Sequence, residues 1–214
     1  EGRPGHDDRV HPAVNGDAAM KLNLHNVQFI KSAADPSGFI SDGLPQIVFA
    51  GKSNVGKSSV INCILNRKNF ARVGATPGMT VHVNYFKVDN KVYFVDLPGY
   101  GYAKVSRADR QRWAQLMETF FRENDAMALG ILIVDARHDP TEDDRQMAGF
   151  LLQSGTPLVV LANKADKLNK TQLEACPERI FQALSLPEGC PVLPFSAEKR
   201  TGRDRLISII ENIG

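Results

Sequence analysis

Eight consecutive residues limit the folds open to this chain more than anything else in it. They are Gly51-Lys52-Ser53-Asn54-Val55-Gly56-Lys57-Ser58, a match to GxxxxGK[ST]. The pattern has meaning only between a buried strand and a helix. Both flanks are present: the apolar run IVFA (47–50) precedes it, and residues 56–65 read as a helix. Glycines let the backbone turn tightly, so successive N–H groups point inward at phosphate oxygens. The start of the helix adds partial positive charge. Lys57 is expected to reach the β- and γ-phosphates and Ser58 to ligate Mg²⁺, within a phosphate-binding set running from Gly51 to Ser59. With average residue usage the four fixed positions match by chance in about one chain per hundred of this size. Lys52 and Ser53 sit at free positions of the pattern and read more simply as loop.

The rest of the chain keeps the same strand-then-helix rhythm. VHVNYFKV (81–88) and VYFV (92–95) are strands joined by Asp89-Asn90-Lys91 as a hairpin. Trp113, Leu116, Met117, Phe120 and Phe121 fall on one face of a helix. LGILIV (129–134) and LVVLA (158–162) are continuous apolar runs, as in strands covered on both faces. Met147, Phe150 and Leu151 mark a helix between them; 191–195 is a last short strand, and Leu206, Ile209, Ile210 and Ile213 mark a final helix. The apolar residues between Lys21 and Ala33 suggest an edge strand, followed by the turn-rich linker DPSGFISDGLP. The pattern predicts an α/β P-loop NTPase fold: a mostly parallel central sheet with one antiparallel strand pair and helices on both faces. Ligands of such sheets bind beyond the carboxyl ends of the strands, which is where the motifs fall.

At 214 residues the chain suits one domain, read as 20–214, behind a leader (1–19) without hydrophobic period. With 26 basic and 24 acidic side chains the net charge is only +2, so any nucleic-acid contact needs a local patch. Three widely spaced cysteines, none in a CxxC pair, argue against a disulfide framework or zinc site and fit a reducing cytosol. Apolar runs stay far below the roughly 18 residues of a membrane span, and the N-terminal residues lack a signal-peptide core. A cytoplasmic monomer with no membrane partner is expected.

Three further stations follow the phosphate loop. Asp96-Leu97-Pro98-Gly99 ends the VYFV strand; its carboxylate can hold Mg²⁺ through water, like a Walker-B aspartate, and the Gly99 N–H can meet the γ-phosphate. In Ala75-Thr76-Pro77-Gly78-Met79-Thr80, Thr80 is the candidate second Mg²⁺ ligand, flanked by Gly78 and Met79, with Thr76 as a competitor for the role. Asn163-Lys164-Ala165-Asp166 follows the LVVLA strand. Asp166 can accept from guanine N1–H and the 2-amino group, donors that adenine lacks, and such a mismatch can cost on the order of 10⁴-fold. Lys164 can lay its stem along the base, and Asn163 can tie this loop to the phosphate loop. Phe195-Ser196-Ala197 closes the site: the Ala197 N–H can meet guanine O6, while Ser196 also reads as a helix N-cap. The four stations together describe a GTP/GDP-binding, Ras-like G domain, with Lys57, Thr80 and Gly99 nearest the chemistry. A nucleotide kinase would lack NKAD and the PGxT loop.

With GKSNVGKSS, ATPGMTVHVNYF, DLPGYGYAKV, DARHDPTEDD and NKADKL, the chain from about residue 24 to its C-terminus resembles the EngB (YihA/YsxC) family of ribosome-biogenesis GTPases. The resemblance implies a GTP-gated factor for late assembly of the large ribosomal subunit, touching rRNA and ribosomal proteins and linked to cell division. A GTPase acting only through protein partners in division is the alternative. NKAD replaces the family's more frequent TKAD, and Ala75 and Met79 stand where basic residues are usual, which weakens an RNA role for that loop. Related translation GTPases hold K⁺ with an Asn at the position of Asn54, so K⁺ is a candidate activator; Asn as a simple loop-former is the alternative.

Many GTPases place a Gln after DxxG to orient the attacking water. Tyr100 stands there and cannot do so, which predicts slow hydrolysis and a function carried by GTP loading. Tyr102 reads as packing or partner contact. Lys104, Arg107, Arg110 and Arg112 form a candidate rRNA phosphate patch or a solvated helix face. Lys199, Arg200, Arg203 and Arg205 form a weaker second one. His138 and Asp143 carry no assigned chemistry.

Overall fold

Apolar runs that do not alternate with polar residues become inner strands, and this chain has three: 47–50, 129–134 and 158–162. In the computed structural model, which describes residues 19–71, 81–101 and 106–213, they are the centre of one sheet. Its seven described strands are β1 (Val27–Ala33), β2 (Gln46–Gly51), β3 (Val83–Val88), β4 (Val92–Asp96), β5 (Met127–Asp135), β6 (Leu158–Asn163) and β7 (Val192–Pro194). Their order is β1-β3-β4-β2-β5-β6-β7. Only β3 runs against the others. It forms the expected hairpin with β4, turned by Asp89 and Asn90 at positive φ, and also pairs antiparallel with β1, the expected edge strand. The edge strand is shorter than the apolar pattern suggests. Met20 and Leu22 instead bond Glu211 through its carbonyl and carboxylate and pack on the core.

Successive residues of β2 point to opposite faces, and each face has its own core. Ile47 and Phe49 join the cluster closed by α1 (Lys57–Ile64) and α5 (Arg203–Glu211). Val48 and Ala50 join the cluster closed by α2 (Arg107–Glu123), α3 (Glu142–Gln153) and α4 (Lys170–Ala183). The α2 face is the one read from the sequence, with Leu116, Met117 and Phe120 buried. The α4 helix is not flagged by its apolar pattern, because only Cys176 and Ile180 are buried and Pro177 lies inside it. No described helix is long and apolar enough to cross a membrane. Parallel registry brings the carboxyl ends of β2, β4, β5 and β6 to one edge, with Phe49 beside Asp96, Gly51 beside Ile133 and Asp135 beside Asn163.

Candidate nucleotide site

Residues 51–58 leave β2 at that edge and wrap into α1, as the motif requires. Gly56 is the N-cap of α1 at φ 99°, and a Cβ there would sit 2.5 Å from Asn163 Nδ2. Glycine is therefore demanded twice at this position, by conformation and by space. Asn163 uses the room: its Nδ2 donates to Val55 O at 3.0 Å, the tie between base loop and phosphate loop expected from the sequence. Lys57 Nζ is ion-paired with Asp96 Oδ1, both side chains mostly buried. Ser58 follows Lys57 in the first turn of α1, at the same carboxyl edge of the sheet.

The segment after Asp96 lies along the phosphate loop. Leu97 N donates to Phe49 O, and Ser53 N donates to Tyr100 O at 2.8 Å. Gly99 runs so close that a Cβ on it would lie 3.0 Å from Ser53 Oγ and 3.4 Å from Ser53 Cα. Lys52 and Ser53, read as loop, lie along this segment, both paired with Tyr100 through the backbone. Tyr100 is buried, and its hydroxyl donates to Asp144 Oδ1 at 2.7 Å. Burial first, and then the Asp144 carboxylate, push this phenol far above its usual range. Gly78, Met79 and Thr80, with Thr76, Tyr102 and Lys104, lie outside the described residues.

At the other end, Gly56, Ser59, Asn163, Lys164, Asp166, Lys167, Ala197 and Glu198 line a cleft of about 470 Å³. Ser196 Oγ donates to Asp166 Oδ1 at 2.6 Å. That bond, and then the neighbouring Lys167 ammonium, hold the Asp166 carboxyl below the usual carboxylate range. The second oxygen, Oδ2, is buried and ion-paired with Lys167 Nζ at 2.9 Å. Ala197 N lies on the cleft wall, 3.4 Å from Asn163 Oδ1. Phe195 is buried in the core behind the cleft and accepts from Ala165 N through its carbonyl. Ser196 does not cap a helix. It closes a turn by accepting from Lys199 N, and α5 starts later, after Gly202 at φ 79°.

Asp135 is a site residue that the sequence reading leaves without a role. It ends β5 beside Asn163 and accepts from Lys164 Nζ at 3.0 Å, while the same ammonium donates to Asn54 O at 3.2 Å. Burial raises Asp135, but the Arg137 side chain and amide and the Lys164 ammonium outweigh it, leaving the carboxyl well below its usual range. Lys164 itself stands at φ 65°, a left-handed conformation that this bonding secures. The cues to Asp135 in the sequence are its place at the end of an apolar strand and at the head of the DARHDPTEDD motif. Of the second basic cluster, Arg203 donates to the carbonyls of Cys63 and Ile64 at the end of α1, and Arg200 bonds Asn66. Those two are committed to structure.

The family described as "50S ribosome-binding GTPase" matches residues 46–164. A probable GTP-binding protein EngB of Levilactobacillus brevis is 40% identical over 190 residues, covering 89% of this chain and 96% of that protein. The chain belongs to the EngB family of GTP-binding proteins. A crystal structure of a probable EngB superposes with a TM-score of 0.64 at 24% identity, covering 78% of this chain and 98% of that one. Era in complex with MgGDPNP and nucleotides 1506–1542 of 16S ribosomal RNA shares the fold, with a TM-score of 0.58, 22% identity, and coverage of 80% and 57%.

As an EngB-family member the chain binds GTP and GDP, and its residues fit that ligand. Asp166 lines the cleft, and its ionised carboxylate is an acceptor-only group of the kind that the paired N–H donors of guanine require. Ser58 and Asp96 offer the hard oxygen donors that Mg²⁺ takes. Ser58 and Asp96 are the described residues that would hold the ion, which would neutralise phosphate charge, and Lys57, now paired with Asp96, would supply a cation to the phosphate oxygens.

Proposed function

We propose that this chain is a slow GTPase that acts as a GTP-gated assembly factor for the large ribosomal subunit, as a cytoplasmic, Mg²⁺-dependent monomer. The observation that carries the slow-switch reading is Tyr100. The side chain directly after DLPG is buried and bonded to Asp144, so it has no free polar arm with which to orient a water. Hydrolysis that is unassisted at this position favours a role for the bound triphosphate itself. Thr80 and Gly99 are the loop positions expected to respond to the terminal phosphate, with Ser58 and Thr80 as metal ligands. The family description and the rRNA-bound Era neighbour support a ribosomal partner. The link to cell division rests on the family resemblance.

Beside the DLPG segment, Arg107 and Arg110 are exposed on the first turns of α2, and Arg112 is exposed 3.8 Å from Asp109. They form the described part of the proposed rRNA contact. Co-sedimentation with large ribosomal subunits, with GTP or GDP and with or without nuclease, tests the reading. GTP-dependent, nuclease-sensitive binding is expected, and Arg107→Glu with Arg110→Glu should weaken it and flatten its salt dependence while sparing GDP affinity. Binding that ignores the nucleotide, or capture of proteins alone after nuclease, overturns it.

A further inference from the structure

The residue after Gly99 is anchored in three directions. Its phenol is held by Asp144 at 2.7 Å. Its ring packs edge-on against Trp113 of α2 with centroids 6.1 Å apart, and Trp113 Nε1 in turn donates to Pro98 O at 3.2 Å. Its carbonyl accepts from Ser53 N of the phosphate loop. Asp144 is itself fixed, because its second oxygen accepts from both the amide and the hydroxyl of Thr141 at 2.8 Å in the capping box of α3. Gly99 is carried by this frame and lies in contact with Ser53.

We propose that Tyr100 is a positioning residue that presets Gly99 for the terminal phosphate of GTP and links that contact to α2 and to the start of α3. This rests on the reading of Gly99 as a γ-phosphate sensor. A backbone donor pre-set in its bound place loses little freedom when the ligand arrives. Gly99 supplies a contact that the triphosphate has and the diphosphate lacks, so the benefit of the frame falls on GTP alone. Without the hydroxyl, the segment between Pro98 and Gly101 keeps its ring packing, the Ser53 N bond to Tyr100 O and the Trp113 bond to Pro98 O, but loses its one tie to α3. The hydroxyl therefore sets the preference for GTP over GDP, and the signal leaves the site through Asp144 and Trp113. Tyr100 touches neither water nor phosphate in this role.

Tyr100→Phe keeps the ring and removes the bond. Binding of GDP and of a non-hydrolysable GTP analogue is measured by calorimetry on the full chain, with wild type, Tyr100→Phe and Thr141→Ala. Thr141→Ala removes a hydrogen bond to the same Asp144 carboxylate without touching Tyr100, and controls for general loosening of α3. Tyr100→Phe should weaken the GTP analogue by about five- to tenfold, the scale of one buried hydrogen bond, with GDP unchanged within about twofold. Thr141→Ala keeps the Thr141 amide bond to Asp144 and the Tyr100 bond to Asp144, so it should leave the GTP:GDP ratio within about twofold of wild type. Trp113, the single tryptophan, gives a second readout: its emission should differ between the GTP-analogue and GDP complexes in wild type, and much less so in Tyr100→Phe. A wild-type ratio in Tyr100→Phe, or an equal shift in Thr141→Ala, overturns the proposal while leaving guanine binding intact. Wild-type protein that binds neither nucleotide overturns the site reading and the proposal together.

Discussion

The two ends of the cleft are built differently. At the base end, Lys164, Asp166, Ser196 and Asp135 come from adjoining strand ends and bond in pairs, Ser196 to Asp166 and Lys164 to Asp135, while Asn163 and Lys164 tie this end to Val55 and Asn54 of the phosphate loop. At the phosphate end, Lys57 and Asp96 share one ion pair, and Gly99 is held through Tyr100 by side chains of two helices packed on the sheet. A mutually bonded cluster stays rigid whichever nucleotide is present, and gives affinity and base choice. A backbone held from outside can shift when its support shifts, and gives a response to the terminal phosphate. The proposed function assigns recognition to the first of these regions and signalling to the second.

The strongest way to break this division is at Asp166. Asp166→Ala should abolish discrimination against adenine nucleotides, costing on the order of 10³-fold or more in guanine preference, as read by competition between GDP and ADP. If preference survives, the base end lies elsewhere. Next, Lys57→Ala should weaken GDP by about a hundredfold, since a charged donor to phosphate is lost; base preference should be retained, and a change in base choice would show that the two ends are not separable. Asp135→Asn should speed release of GDP and of a GTP analogue alike by about tenfold, the scale of a hydrogen bond to a charged group. A change confined to the triphosphate would move Asp135 to the phosphate end. Exchanging KCl for NaCl should alter turnover severalfold at most if Asn54 holds K⁺, and leave base choice untouched; equal turnover in the two salts removes the cation from the account.

The smallest effect is in pH. The folded Asp135 and Asp166 carboxyls titrate below the unfolded value of about 3.9, so protons bind the unfolded chain more readily. Their contribution to stability is complete above that value and is lost as pH falls through the folded ones. Thermal unfolding between pH 5 and 3 should therefore show a steeper loss in wild type than in Asp135→Asn. Equal slopes would mean that Asp135 gains nothing from its partners on folding.

What was legible in the sequence is what backbone geometry dictates locally. The phosphate loop, DLPG and NKAD depend on short patterns at strand ends, and the sheet that carries them follows from uninterrupted apolar runs. Tyr100, Asp144 and Asp135 act through contacts distant in sequence, so no spacing rule exposes their roles. The α4 helix hides behind Pro177 and a thin apolar stripe, although its N-terminus carries a capping box, Asn169 with Gln172, that marks a helix start. Ser196 misleads as a cap because its hydroxyl is already divided between Lys199 N and Asp166, while a glycine begins α5.

The central claim, a cleft made for guanine with a separate sensor for the terminal phosphate, meets its most direct test in calorimetry of the purified chain with GDP, a GTP analogue and their adenine counterparts in the presence of Mg²⁺. Both guanine nucleotides should bind at a single site and the adenine nucleotides should give no measurable heat of binding. Adenine nucleotides taken up as tightly as guanine ones would contradict the account.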